Sequence, residues 1–178
     1  MRIAIVGSTG AGKTTLARQL AARLGLRHVE LDALHWEPNW IEAPQAVFLR
    51  RVAETLAEDG WVADGNYGRI AWERAETVIW LDYPFALTAW RLLRRTIRRA
   101  ITREELWNRN REPVLRSFTR ESVFLWLVHF YRRRRHEYAA IIGEPLPGGM
   151  IVVRLRSPAE TRTWLATLPP RACRLSEP

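Results

Sequence analysis

The residues Gly7-Ser8-Thr9-Gly10-Ala11-Gly12-Lys13-Thr14 decide how this chain folds and what it meets. They match G-x-x-x-x-G-K-[ST] in full, preceded by a short β-branched run and followed by a helical pattern. Glycines let the backbone turn so that successive N–H groups converge on phosphate oxygens, and a helix starting near Lys13 adds the positive end of its dipole. The loop, Gly7 to Thr15, is therefore expected to cradle the phosphates of ATP. Lys13 should bridge the β- and γ-phosphates and the Thr14 hydroxyl should bind Mg²⁺. Arginine would replace Lys13 poorly, because a planar fork is not a compact point charge.

Outward from the loop, five short apolar runs read as strands: Arg2 to Val6, His28 to Leu31, Trp61 to Ala63, Thr77 to Leu81 and Met150 to Leu155. Between them lie helical patterns at Lys13 to Leu24, which stops at Gly25, at Pro44 to Glu58, and at Ala159 to Leu168 after Pro158. Strands alternating with helices predict an α/β fold in three layers, a five-stranded parallel sheet covered on both faces. Ligands of such sheets sit at the carboxyl ends of the strands, where Asp32, Asp64 and Asp82 fall beside the loop.

The 178 residues suit one domain with a real core, 47% of them being apolar. We expect a core over residues 1–90 and 145–168, a helical lid over 91–142 and a loose tail over 169–178. Cys173 is the one cysteine, which excludes an intrachain disulfide and fits the cytoplasm. No apolar run is long enough for a signal peptide or a membrane span.

Lys13 is the sole lysine against 27 arginines, and the net charge is +9. Between Arg91 and Arg135 stand 14 arginines and four acids, so the whole excess lies in one segment. Projected as a helix, Trp90 to Ile101 gathers Arg91, Arg94, Arg95, Arg98 and Arg99 on one side and Trp90, Leu93, Ile97 and Ile101 on the other. The apolar face should pack and the arginines should reach phosphate, Arg91 and Arg95 first. Of Arg132 to Arg135, a spaced pair such as Arg132 and Arg135 can face one ligand. Val123 to Tyr131 is apolar all round, as a homodimer contact would be.

The remaining candidates lie just past strand ends. Asp64 before Gly65 suits the Mg²⁺ water shell, or simply a turn. Asp32 with His35 could contact an acceptor hydroxyl, with Asp32 orienting it or taking its proton; Asp32 also suits a helix N-cap. Trp36 and Trp40 are candidates to line an acceptor pocket, while Asp82 reads most simply as a cap of the next helix.

Together the phosphate loop, Leu31-Asp32-Ala33-Leu34-His35-Trp36, Asp64-Gly65-Asn66-Tyr67 and Asp82-Tyr83-Pro84 before an arginine helix resemble the adenylate-kinase-like small P-loop kinases. Within these, the chain looks most like the proteins labelled DNA topology modulation proteins, over about residues 1–168. The resemblance implies a P-loop NTPase fold with an arginine-bearing lid, and it puts Arg156-Ser157-Pro158 beside the adenine. Where adenylate kinases have Asp-Gly-aromatic-Pro-Arg, this chain has Asp64-Gly65-Asn66-Tyr67-Gly68-Arg69. Asp32 with Leu34-His35 is similar instead to the acceptor loop of shikimate and gluconate kinases.

The expectation is thus an ATP- and Mg²⁺-dependent phosphotransferase acting on a nucleoside, nucleotide or polyol acid. Lys13, Asp32, Arg91 and Arg95 would carry the chemistry, and Asp32, His35, Trp36, Asn66 and Arg69 would hold the acceptor. Two alternatives stand beside it: a nucleotide-dependent nucleic-acid-binding regulator, and a slow NTPase.

Overall fold

The computed structural model describes residues 1–67, 70–102, 105–110, 123–143 and 149–169. In chain order these form β1 (Arg2–Gly7), α1 (Lys13–Leu24), β2 (Arg27–Glu30), α2 (Leu31–His35), β3 (Trp36–Glu37), β4 (Ile41–Glu42) and α3 (Gln45–Thr55). There follow β5 (Trp61–Asp64), β6 (Thr77–Leu81), α4 (Phe85–Thr102), α5 (Val123–Gly143), β7 (Ile151–Leu155) and α6 (Pro158–Thr167). The main sheet runs β2-β5-β1-β6-β7 with every pairing parallel.

Side-chain alternation along the strands builds the layers. Ile3 and Ile5 of β1, Val62 of β5 and Ile79 of β6 join Leu16, Ala17 and Leu20 of α1 in one buried cluster. Their neighbours Ala4, Val6, Trp61, Ala63, Val78 and Trp80 point the other way, onto Phe48 and Val52 of α3 and Tyr138 of α5. Both faces of the central strands β1, β5 and β6 are thus covered, which is why these segments read as unbroken apolar runs. Truncating a fully enclosed side chain such as Leu20 should cost about 2–5 kcal/mol.

Register brings the site together. Ile5 and Glu30 both lie opposite Asp64, and Gly7 lies opposite Leu81, so the carboxyl ends of four strands converge on one edge. There α4 presses on the phosphate loop. A Cβ at Gly10, whose φ is +87°, would stand 2.4 Å from the Thr88 carbonyl oxygen.

Boundaries differ from the sequence expectation where tertiary contacts intervene. The second strand ends at Glu30, because Leu31 turns inward and opens α2 against Gly65, where a Cβ would meet the Leu31 Cβ at 2.8 Å. The helix expected over 44–58 is α3, ending at Thr55, and β5 runs one residue further, to Asp64. β7 begins at Ile151, and α6 begins at Pro158 with Ser157 as N-cap, its hydroxyl accepting from the Glu160 N–H at 3.1 Å. Of the apolar stretch at 123–131, only the Tyr131 side chain falls among the described ones; it is buried and donates to the Tyr83 carbonyl at 2.7 Å. The tail over 170–178 lies outside the described residues.

One expectation is reversed. The apolar side of α4 does not pack: Trp90 is 62% and Ile101 77% exposed, and Leu93 and Ile97 are exposed too. Instead Thr88, Ala89 and Leu92, on a narrow seam beside the arginines, are buried. Close approach to the glycine-rich loop needs small side chains, and that seam has them.

Candidate active site

The phosphate loop is preset by its own lysine. Lys13 Nζ donates to the Gly7 carbonyl at 3.0 Å and the Ser8 carbonyl at 3.4 Å, which folds the side chain back across the loop mouth. The turn is closed by Ala11 N–H donating to the Ser8 carbonyl at 3.0 Å. Burial pushes the Lys13 ammonium down to about 8, against the pull of Asp32 and Asp64. An incoming phosphate would draw it back up.

Thr14 follows on the first turn of α1 and donates to Asp64 Oδ2 at 2.6 Å. The other carboxylate oxygen, Oδ1, is 2.7 Å from His28 Nε2, and His28 Nδ1 lies 3.9 Å from Glu30 Oε1. A hydroxyl and a buried carboxylate held together beside the phosphate loop are hard oxygen donors, and this set fits Mg²⁺. Among the described residues no cluster of three or more His, Cys, Asp or Glu forms a closed metal cage.

Across the cleft, Asp32 sits in the first turn of α2 rather than at its N-cap. Its Oδ1 accepts from the Tyr67 hydroxyl at 2.6 Å. Burial raises Asp32 above the usual carboxylate range, opposed by the Tyr67 hydrogen bond and by Lys13. The same pairing pushes the Tyr67 hydroxyl upward, chiefly through burial and then the Asp32 charge. His35 stands in an aromatic cluster, 4.6 Å from the Tyr67 ring and 4.9 Å from Trp36. Its side chain forms part of the cleft lining.

The α4 arginines line the cleft beside the phosphate loop. Arg91 Nη1 donates to the Ala11 carbonyl at 3.2 Å, and its guanidinium lies 5.5 Å from the Tyr83 ring centroid. Arg95, Arg98 and Arg99 line the same cleft. From α5 it is Arg134 that reaches in, donating to the Asn66 carbonyl at 3.0 Å. The expected pair does not: Arg132 is exposed, and Arg135 joins Arg154 on the buried Asp82, at 2.7 and 2.6 Å. Asp82 therefore ties α5 to β7, and it does not stand next to the start of α4, which begins at Phe85. Arg156 stands outside the cleft lining, its N–H on Glu160 Oε2 at 2.6 Å, and Arg69 lies outside the described residues.

Lys13, Thr14, Asp32, Asp64, Arg91 and Arg134 border one cleft of about 1540 Å³. Its lining includes Thr9 to Thr15, Asp32, His35, Trp36, Asn66 and Asp64.

Solved structures share this architecture. A shikimate kinase from Bacteroides thetaiotaomicron superposes with a TM-score of 0.57 at 14% identity, over 93% of this chain and 94% of that one. A shikimate kinase from Acinetobacter baumannii in complex with shikimate gives 0.55 at 20% identity, over 91% and 87%. A gluconokinase from Sinorhizobium meliloti gives 0.50 at 17%, over 93% and 91%. The fold is that of the small P-loop kinases. At these identities the likeness establishes the fold alone. No known family description matches the sequence, and no curated protein does.

Within that kinase fold, several residues at the site escaped the sequence reading. Tyr67 was in view but without a partner, since its bond to Asp32 spans 35 residues. His28 reaches Asp64 only because β2 and β5 are neighbours. Trp107 and Asn110 carry no local signal at all. They matter because Trp107 Nε1 donates to Glu30 Oε2 at the end of β2 at 2.8 Å, while Asn110 Nδ2 donates to the Glu37 carbonyl of β3 at 2.9 Å.

Proposed function

We infer that the chain is a phosphotransferase that moves the γ-phosphoryl group of ATP to a hydroxyl of a small-molecule acceptor. The observation that carries this reading is the opposition, across one cleft, of the phosphate loop and a half-buried carboxylate held by Tyr67. Six arginines line that cleft, Arg18 from α1, Arg91, Arg95, Arg98 and Arg99 from α4 and Arg134 from α5. Mg²⁺·ATP supplies an activated phosphoryl group whose charge is already partly neutralised. Lys13, Arg91 and Arg95 stabilise the negative charge that spreads over the transferring group. Thr14 by its hydroxyl and Asp64 through the water shell hold Mg²⁺. Asp32 orients the acceptor hydroxyl and takes its proton, a role its raised affinity for protons favours.

The test is acceptor-dependent ADP release by purified protein over a panel of nucleosides, nucleotides, sugars and polyol acids. No release above a Lys13→Ala control on any acceptor would remove the reading. ATP turnover indifferent to every acceptor would leave a slow NTPase. The reading suggested by topology modulation, a nucleotide-dependent grip on nucleic acid, draws on the same arginines. Their turn into the cleft favours the lid. DNA affinity that falls steeply between low and moderate salt would favour the grip.

A further inference from the structure

The hairpin of β3 and β4 is held in a strained shape. Asn39 and Trp40 both have positive φ, 65° and 59°, which is rare for a side chain as bulky as Trp40. Three hydrogen bonds from the segment after α4 fix it. Asn110 Nδ2 donates to the Glu37 carbonyl at 2.9 Å, the Trp40 N–H donates to Asn110 Oδ1 at 3.0 Å, and Asn108 Nδ2 donates to the Trp36 carbonyl. Asn110 is only 3% exposed. Strain that its surroundings over-determine points to a site where a side chain has to be aimed.

The aimed side chains are Trp36 and Trp40. Both line the cleft on the Asp32 side, and their rings meet edge to face, with centroids 5.5 Å apart and planes at 75°. Two indoles at this angle form a corner, one offering its face and the other its edge, which matches the charge distribution of a flat aromatic ring. Much of the polar capacity nearby is already committed, with His35 Nδ1 and the Glu42 carboxylate left to meet a polar atom on the ring or its substituents. The amides of Asn108 and Asn110 serve the main chain, the Tyr67 hydroxyl serves Asp32, and Glu30 serves Arg18 and Trp107. An open-chain polyol needs a partner for each hydroxyl, whereas a flat ring needs faces.

We propose that the acceptor is an alcohol bearing a flat aromatic or heteroaromatic ring, the nucleoside class, with its ring in the Trp36–Trp40 corner and its hydroxyl on Asp32. This rests on the phosphotransferase reading and narrows it. As the acceptor oxygen bonds to the γ-phosphorus, its proton passes to Asp32. The bond from that phosphorus to the β–γ bridging oxygen breaks and ADP leaves.

The experiment has a catalytic arm and a binding arm. ADP release is measured with nucleosides and hydroxymethyl-substituted pyridines or pyrimidines, against gluconate, shikimate and glucose. Calorimetry then titrates the same compounds into protein holding a non-hydrolysable ATP analogue. The expected result is saturable turnover with a ring-bearing alcohol, an acceptor KM raised about tenfold to a hundredfold by Trp36→Ala, and a kcat changed far less. Trp36→Phe should restore most of the affinity, and Trp90→Ala, on the exposed side of α4, should change nothing. Transfer only to gluconate, shikimate or glucose overturns the ring acceptor and keeps the kinase. Absence of transfer to any compound removes the kinase reading; the corner then stands if ring compounds bind in calorimetry and Trp36→Ala abolishes it, and falls if they do not bind.

Discussion

The two ends of the cleft are built by opposite means. At the donor end the framework is mainly local: the loop closes on itself through Ala11 and Ser8, and Lys13 is held by carbonyls five and six residues away, while Asp64 on Thr14 and Arg91 on Ala11 join from afar. At the acceptor end almost every contact is distant in sequence, with Tyr67 on Asp32 from 35 residues away and Asn110 on Glu37 from 73. A mainly local framework tolerates almost any surroundings, so it keeps its sequence pattern. A site assembled from four remote segments can vary each of them, and specificity lies there.

This contrast can be broken by mutation. Asp32→Asn should lower kcat by about 10²–10⁴-fold, the usual worth of a positioned proton acceptor, while leaving the affinity for ATP unchanged. A parallel fall in ATP affinity, read by calorimetry, would show that the ends are not separable. Lys13→Arg should cost about 10²–10³-fold for every acceptor alike, since a guanidinium cannot occupy the loop mouth as a point charge. Full activity in that variant would undo the argument for the lone lysine.

Smaller effects sharpen the comparison. Asn110→Ala leaves the Glu37 carbonyl and the Trp40 N–H without their partner, at about 1–3 kcal/mol. The acceptor KM should rise about tenfold with ATP affinity intact; a change confined to ATP would place Asn110 at the wrong end. Tyr67→Phe acts on pH dependence. The hydroxyl stabilises the charged form of Asp32, so its loss raises a carboxyl that burial has already raised. The acid limb of the kcat profile should move to higher pH and the two enzymes should converge at alkaline pH. A limb that stays or moves down would dissociate Tyr67 from Asp32.

Legibility in the sequence follows the same division. The strand at Thr77 to Leu81 and the helix at Lys13 to Leu24 were readable to the residue, because burial on both faces and a terminal glycine are local signals. The orientation of α4 was not. Its arginine and apolar sides were correctly separated, yet which side meets the core depended on the glycine loop beneath it, and there Thr88 and Leu92 fit where Trp90 could not. Likewise Arg134 rather than Arg132 enters the cleft, because Arg135, the next residue, is tied to the buried Asp82 from a strand 53 residues earlier.

By itself the sequence determined the parallel sheet, the phosphate loop with its one lysine, and the segment that carries the positive charge. These rest on periodicity and on contacts within a few residues, where the chain's geometry is fixed by its own covalent spacing. Tertiary structure decided where that charge points, which carboxylates face the cleft, and how Trp36 and Trp40 are set against Asp32. Those depend on strand order and on docking between distant segments, which burial and hydrogen-bond satisfaction select only once the whole chain has packed.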